Sequence, residues 1–212
     1  MSSTKTRAMF TVSLLGLALG TSAAEGRTVP PPTSGLAVES VQAMGTGCMD
    51  ASAVHVEFSP AGDEIIVRYG PGQLSLAAGP GIPLSLMGSY CRLQLRLRVP
   101  QGYSYAITGI THEGYADLDP GVTARRTAWF WFSGMVAPYR TVALVGPFAG
   151  NYRLTSDVGA NPRYSACGSS APLFLLMNVG LSNLDNPNGM GTVDAGEAGP
   201  IIRYRLSWQQ CG

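Results

Sequence analysis

Apolar and polar residues alternate along much of the chain, most regularly over residues 91–99. Every second residue there is apolar and the residues between are Arg or Gln, so one face of a strand would be buried and the other exposed. The buried face would carry Cys91, Leu93, Leu95, Leu97 and Val99, and the opposite face Arg92, Gln94, Arg96 and Arg98. Residues 54–58 show the same alternation, and both segments are predicted to be half-buried β-strands.

Further candidate strands follow along the chain, rich in β-branched, aromatic and leucine residues. They lie at residues 37–43, 64–69, 103–111, 124–133, 140–145, 151–155, 172–181 and 201–208. Clusters of Gly, Pro, Asn and Asp separate them, in a chain with 27 Gly and 15 Pro. No convincing helical period occurs after the N-terminal segment. The sequence therefore predicts an all-β fold, an antiparallel β-sandwich or flattened barrel of roughly 8–11 strands.

The N-terminal segment has the pattern of a cleavable export signal. Lys5 and Arg7 precede an uncharged, mostly apolar run at residues 8–20, which is about 13 residues long and within the range of a signal peptide. Small residues follow at 21–24, so cleavage is predicted before Glu25. A membrane-spanning helix would need about 20 apolar residues. We therefore predict a secreted, extracellular protein without a membrane span.

The predicted organisation is a signal peptide at 1–24, a Pro-rich linker at 25–35 and a single β domain at 36–212. Residues 27–35 read RTVPPPTSG. Consecutive prolines lack backbone donors and favour extended polyproline geometry, which is typical of a linker. The roughly 188 residues left after cleavage are enough for one domain with a full-sized core.

Charge argues against several classes of partner. Loss of Lys5 and Arg7 with the signal leaves 12 of the 14 basic residues, all of them Arg, against 13 acidic ones. A nearly neutral chain offers no clustered basic footprint for nucleic acid or anionic lipid. The expected partner is an extracellular glycan or a cell-surface or matrix protein, and the oligomeric state stays open.

The chain has four cysteines, Cys48, Cys91, Cys167 and Cys211. An even number in an exported chain indicates disulfides, and separations of roughly 40 residues or more are unlike the close ligand spacing of zinc sites. Four cysteines allow three pairings. We favour Cys48–Cys91 and Cys167–Cys211, because the second bridge would hold the C-terminal strand in place.

Short motifs around these cysteines carry a family resemblance. They are GTGC at 45–48, CRLQL at 91–95, VPQGY at 99–103, GYADLD at 114–119, GV at 121–122, FSG at 132–134, ACG at 166–168 and LSWQQC at 206–211. Their order and spacing resemble the secreted family catalogued as domain of unknown function 4360, over residues 38–211. The resemblance implies a signal peptide and one disulfide-bonded β domain without established activity, and it transfers no functional residue.

One polar cluster could support acid–base chemistry. His112, Glu113, Asp117 and Asp119 lie close together in sequence, and a small secreted hydrolase using His112 with nearby carboxylates is the alternative function. Adjacent residues of a strand point to opposite faces, however, so His112 and Glu113 are not expected to share a site. The only other histidine, His55, is expected to face away from the core.

A second polar cluster invites comparison with a calcium loop. It consists of Asn183, Asp185, Asn186, Asn188 and Asp194. The ligand spacing of a calcium-binding EF-hand loop is absent and Pro187 interrupts the segment, so a loop without bound Ca²⁺ is the better interpretation. No cofactor or metal site is predicted.

The aromatic run at 129–132 gives the strongest binding hypothesis. On a strand, Trp129 and Trp131 would share one face and Phe130 and Phe132 the other. If the second face is core, the tryptophans form a platform for sugar rings or an apolar partner. Arg92, Arg96 and Arg98 would line a neighbouring surface and could bind acidic glycans. The opposing interpretation is a strand covered on both faces, with the arginines in ordinary ion pairs.

Overall fold

The computed structural model describes residues 27–83 and 88–211. These residues form thirteen strands and one turn of 3₁₀ helix at Ala51–Ala53. The strands are β1 Thr28–Val29, β2 Ala37–Met44, β3 Val54–Phe58, β4 Glu64–Tyr69, β5 Leu76–Ala78, β6 Gly88–Arg98, β7 Tyr103–Leu118, β8 Thr123–Phe132, β9 Tyr139–Val145, β10 Phe148–Asp157, β11 Leu173–Ser182, β12 Gly191–Val193 and β13 Ile201–Gln210. Within these ranges, no helix has the length and apolar character needed to cross a membrane. The predicted signal peptide lies outside the described residues.

One antiparallel sheet has eight strands and is organised around the long strand β7. β13 pairs with the first part of β7, and the short strand β12 takes its place at Ala116–Leu118. β4 and β3 extend the sheet beyond β13, β5 extends it beyond β12, and β10 covers the opposite edge of β7. β7 therefore changes partner at Gly114 and Tyr115, between the two pairings.

The second antiparallel sheet has five strands in the order β2-β6-β11-β8-β9. A β-bulge interrupts the pairing of β2 with β6, because Val38 pairs with Leu97 and Ser40 with Arg96, which leaves Glu39 without a partner residue. Strands β2 and β9 form the two edges of this sheet.

The two sheets pack face to face on a shared hydrophobic core. β6 contributes Cys91, Leu93, Leu95 and Leu97 of the predicted alternation, and Val99 follows directly after the strand; each is 5% exposed or less. β8 and β11 place alternate residues beside them, including Phe130, Phe132 and Leu175. The all-β prediction is confirmed as an open sandwich rather than a closed barrel. The strand number exceeds the predicted 8–11 because β1, β5 and β12 are only two or three residues long.

Both predicted disulfides are present. Cys48–Cys91 joins the loop after β2 to the inner face of β6, with both residues 1% exposed or less. Cys167–Cys211 ties the end of β13 to the loop before β11, and Cys167 is exposed. The second bridge therefore holds the last strand in place, as its position in the sequence suggested.

The Pro-rich segment before the domain is attached to it. Thr28 and Val29 pair with Gln209 and Trp208 of β13, and Pro32 is buried. The attachment has a simple cause: β4 pairs only with Ile201–Arg205, so the later half of β13 keeps a free edge on that side. Thr28 and Val29, within the segment predicted as a linker, thus belong to the eight-stranded sheet.

Candidate functional site

The outer face of the five-stranded sheet brings the predicted binding residues together. Strand register aligns Met44, Arg92, Leu176, Trp129 and Tyr139 in one row across all five strands. The next row carries Gln42, Gln94, Phe174 and Trp131. We call Trp129, Trp131, Tyr139, Phe174 and Leu176 the aromatic face.

The rings of the aromatic face support one another. Trp131 and Phe174 stack with centroids 5.3 Å apart and planes inclined by 14°. Trp129 and Tyr139 are 5.9 Å apart in a tilted pair. Both tryptophans are half-buried, whereas Phe130 and Phe132 point into the core. The structure thus has the tryptophans on an outer surface, and their orientation is fixed by neighbouring side chains.

Arginines surround the aromatic face. The Arg92 guanidinium carbon lies 5.2 Å from the Phe174 ring centroid and 5.9 Å from that of Trp131, which is cation–π geometry. Arg96 and Arg98 are exposed farther along β6, on the same face. Arg125 is exposed on β8 and was not among the predicted site residues. Arg125 lies an even number of residues before Trp129 and Trp131, so the period of two in a strand would place all three on the same face.

The two outer faces of the sandwich differ in how their charges are paired. On the eight-stranded sheet, Arg203 contacts Glu64 at 3.2 Å and Glu113 at 3.1 Å, and Arg153 also pairs with Glu113. Two further ion pairs there are Arg68–Glu57 and Arg205–Asp157. Within the described ranges, none of Arg92, Arg96, Arg98 and Arg125 has a carboxylate within 4.0 Å.

A buried charge cluster lies between the sheets. Arg126, on the inner face of β8, pairs with Asp194, and the Tyr152 hydroxyl donates to Oδ1 of the same carboxylate at 2.8 Å. The Arg126 guanidinium also lies over the Tyr152 ring, 5.2 Å from its centroid. Burial raises the pKa of Tyr152 to about 12, so its hydroxyl stays protonated and available as a donor. The cluster joins β8, β10 and the loop after β12.

The predicted acid–base cluster is divided between the two sides of the sheet. His112 is fully buried, whereas Glu113 faces outward to Arg153 and Arg203. Asp117 is exposed, and Asp119 accepts a hydrogen bond from the Met190 amide at 2.8 Å. The structure does not bring His112 together with these three carboxylates.

His112 has the environment of a sealed core residue. Neither ring nitrogen has a hydrogen-bond partner within the described part of the chain. Burial, with a smaller contribution from the Arg126 charge, lowers the pKa of His112 to about 3. The imidazole is therefore neutral at ordinary pH, and the closed core gives a substrate no access to it. His55 is exposed, as its position in β3 predicted.

The side-chain amides of the asparagine-rich loop donate hydrogen bonds to backbone carbonyls of this loop and of a neighbouring turn. Asn183 is buried and donates to the Pro187 carbonyl at 3.2 Å, and Asn186 donates to the Pro120 carbonyl at 2.8 Å. Asp194 belongs to the buried charge cluster instead. Residues 27–83 and 88–211 contain no group of three or more His, Cys, Asp or Glu that could hold a metal ion.

Residues 34–211 match the family described as a domain of unknown function, DUF4360. The chain belongs to this family. The resemblance seen in the cysteine motifs is thereby confirmed over almost the whole sandwich. An uncharacterized secreted protein of Arthroderma benhamiae is 28% identical to this chain over 170 residues. The aligned region covers 79% of this chain and 68% of the relative.

Two solved structures align with this family member at low similarity. TmCBM61 in complex with β-1,4-galactotriose aligns with 82% of this chain and 90% of its own length, at 9% identity and a TM-score of 0.28. TmCBM27, a carbohydrate-binding module that recognises mannan, aligns with 87% of this chain and 99% of its own length, at 9% identity and a TM-score of 0.31. Similarity at this level carries no argument about what the present chain binds.

Proposed function

We propose that this protein is a secreted, non-catalytic module that binds glycans through the outer face of its five-stranded sheet. The observation that carries the proposal is the stacked pair of Trp131 and Phe174 on a surface that no second layer of the described residues covers. Sugar rings present flat C–H faces, which pack well on an aromatic ring, and their hydroxyl groups stay in contact with water at the rim.

Rigidity of the aromatic face supports the proposal. Trp129 and Trp131 stand on a central strand, between β11 and β9, and each ring contacts another ring. Side chains that are already ordered lose less entropy when a ligand binds. Exposed apolar patches on a soluble domain are also frequent interaction sites. The aromatic face therefore has the properties of a binding surface that is formed before its ligand arrives.

The proposal also includes an extracellular location for the protein. The N-terminal signal pattern, the two disulfides and the secreted relative support an extracellular location. Glycans and matrix proteins are the abundant polymers of that compartment. A matrix protein is the competing partner.

A glycan array tests the function directly. The mature protein is applied beside the Trp129→Ala and Trp131→Ala variants, and affinity for each positive glycan is then measured by calorimetry. We expect each substitution to weaken binding roughly 10- to 100-fold, because central aromatic contacts dominate binding energies.

Tyr115→Ala supplies the matched control, since Tyr115 is an exposed aromatic residue of β7 in the other sheet. It should bind glycan like the unmodified protein. Absence of binding to every glycan, or equal losses in the Tyr115 and tryptophan variants, would contradict the proposal.

A further inference from the structure

We infer that the glycan is acidic, a polysaccharide whose sugar rings stack on the aromatic face while its carboxylates bind the surrounding arginines. This inference rests on the proposed function and adds the class of ligand. Its basis is the juxtaposition of ring faces with four arginines, Arg92, Arg96, Arg98 and Arg125, that have no carboxylate within 4.0 Å in the described ranges.

The arginines of the two sheets differ in whether they form ion pairs, and this difference points to a ligand. On the eight-stranded sheet, every outward strand arginine, namely Arg68, Arg153, Arg203 and Arg205, contacts a carboxylate. The paired register positions of the five-stranded sheet carry no acidic residue. Glu39 lies in the bulge beside the Ser40–Arg96 pair, and it forms no ion pair within 4.0 Å among the described residues. The positive charge of this face is therefore left for a ligand to neutralise.

Arg92 connects the charge to the rings. Its guanidinium lies over both Phe174 and Trp131, so a sugar stacked on either ring would place its substituents beside this cation. Guanidinium groups bind carboxylates with two parallel hydrogen bonds, which fixes orientation as well as charge. A uronic acid ring offers both features that this corner of the face can recognise, an apolar ring face and a carboxylate.

The other arginines extend the site on two sides of the rings. Arg96 lies four residues beyond Arg92 on β6, about 14 Å away at the rise of an antiparallel strand. Arg125 lies on the opposite side, four residues before Trp129 on β8. A single acidic sugar cannot reach both positions, so the arrangement fits a polymer that carries charges at intervals.

Small neighbours leave Arg125 accessible. Its register row consists of Gly88, Gly180, Arg125 and Ala143. Among the described residues, a Cβ atom added at Gly88 would meet nothing within 4 Å. Arg125 is therefore exposed among small neighbours, beside the aromatic face.

The test uses three acidic polysaccharides, polygalacturonate, alginate and hyaluronan, each beside its carboxyl-reduced counterpart. Reduction removes the charge and keeps the sugar backbone. Affinity is measured for the mature protein and for Arg92→Gln, Arg96→Gln and Arg125→Gln, with Arg153→Gln of the eight-stranded sheet as the matched control. Thermal unfolding of each variant verifies folding.

We expect at least one acidic polymer to bind roughly tenfold or more tightly than its reduced form, corresponding to about 1.4 kcal/mol. Arg92→Gln should remove most of this preference, and Arg153→Gln none of it. Raising NaCl from about 0.05 to about 0.5 M should weaken acidic binding, because salt screens exposed charges.

Equal binding of the acidic and reduced forms, or binding only to neutral glycans on the array, would overturn the acidic ligand and leave the glycan-binding function standing. Absence of binding to every polymer and every array glycan would overturn both. Equal losses in Arg92→Gln and Arg153→Gln would also overturn the inference, because they would show a general charge effect.

Discussion

At the scale of single residues, His112 is a titratable group held in the wrong environment for charge. The pKa of His112 is lowered from 6.5 to about 3 by burial and by the nearby Arg126 guanidinium. The unfolded chain takes up a proton below about pH 6.5, while the folded protein stays neutral at this position. His112 therefore supports the fold fully above pH 6.5 and progressively less as the pH falls toward 3.

This linkage gives a measurable pH dependence. Between pH 6.5 and pH 4.5 we expect His112 to account for a loss of about 2–3 kcal/mol in the free energy of unfolding. The His112→Gln variant should lack this part of the acid destabilisation, so the difference between the two proteins narrows at low pH. Urea unfolding of both proteins at pH 6.5 and pH 4.5 measures the free energies of unfolding.

His55→Gln is the matched control, because it removes an imidazole from the exposed side of β3. Its pH profile defines the baseline for losing a surface histidine. Parallel profiles for the unmodified protein and His112→Gln would show that burial of His112 does not contribute to acid sensitivity.

At the scale of elements, β7 depends on a glycine where it changes partner. Gly114 faces the core, and a Cβ atom there would collide with the Asp194 carboxylate and the Tyr152 hydroxyl. Gly114→Ala would therefore disturb the buried ion pair of Asp194 with Arg126. We expect a loss of roughly 1–3 kcal/mol in the free energy of unfolding, as for other overpacked cores. Chemical denaturation measures the loss.

Gly88→Ala on β6 makes the same substitution where the added methyl group meets no described residue within 4 Å. It should be neutral or stabilise the protein by up to about 1 kcal/mol, since alanine restricts the unfolded chain. A similar destabilisation in both variants would mean that strand propensity, rather than contact with the charge cluster, explains the effect of Gly114→Ala.

Elements with a long alternation could be predicted from the sequence, and short ones could not. β6 repeats its pattern over eleven residues, so the orientation of Arg92 and Leu93 followed directly from the period of two. β5 and β12 have three residues each and lie between turns, where no period can develop. Their existence depends on pairing with each other and with β7, which is tertiary information.

In the candidate site, too, some features could be predicted from the local sequence and others depend on tertiary pairing. The sequence indicated that Trp129 and Trp131 share a face and that Tyr139 could extend it, but Phe174 joined them only through the register of β11 with β8. Asp194 was grouped with its neighbours in the loop, whereas its partner Arg126 lies on a distant strand. Long-range pairing of this kind leaves no local pattern.

At the scale of the whole molecule, two disulfides close loops of almost equal length in different surroundings. The sequence separations are 43 and 44 residues, so the chain-entropy model gives each bridge about 4 kcal/mol. Cys48 and Cys91 are buried in the core, whereas Cys167 is exposed. A reductant can therefore reach the second bridge without unfolding of the sandwich.

We expect limited reduction of the native protein to open Cys167–Cys211 first and to leave Cys48–Cys91 intact. Alkylation followed by peptide mass analysis identifies the modified cysteines. Paired Cys→Ala variants supply a comparison: loss of the buried bridge should destabilise more, because it also leaves a cavity. Alkylation of Cys48 before Cys167 would contradict this order.

The bulge at Glu39 bears on how copies of the protein behave when they are crowded. A regular free strand edge exposes a row of unpaired N–H and C=O groups, which can recruit the edge of another molecule. On β2 that row is interrupted where Val38 and Ser40 flank an unpaired, negatively charged residue. Molecules gathered side by side on one polymer would then remain separate instead of joining their sheets into aggregates.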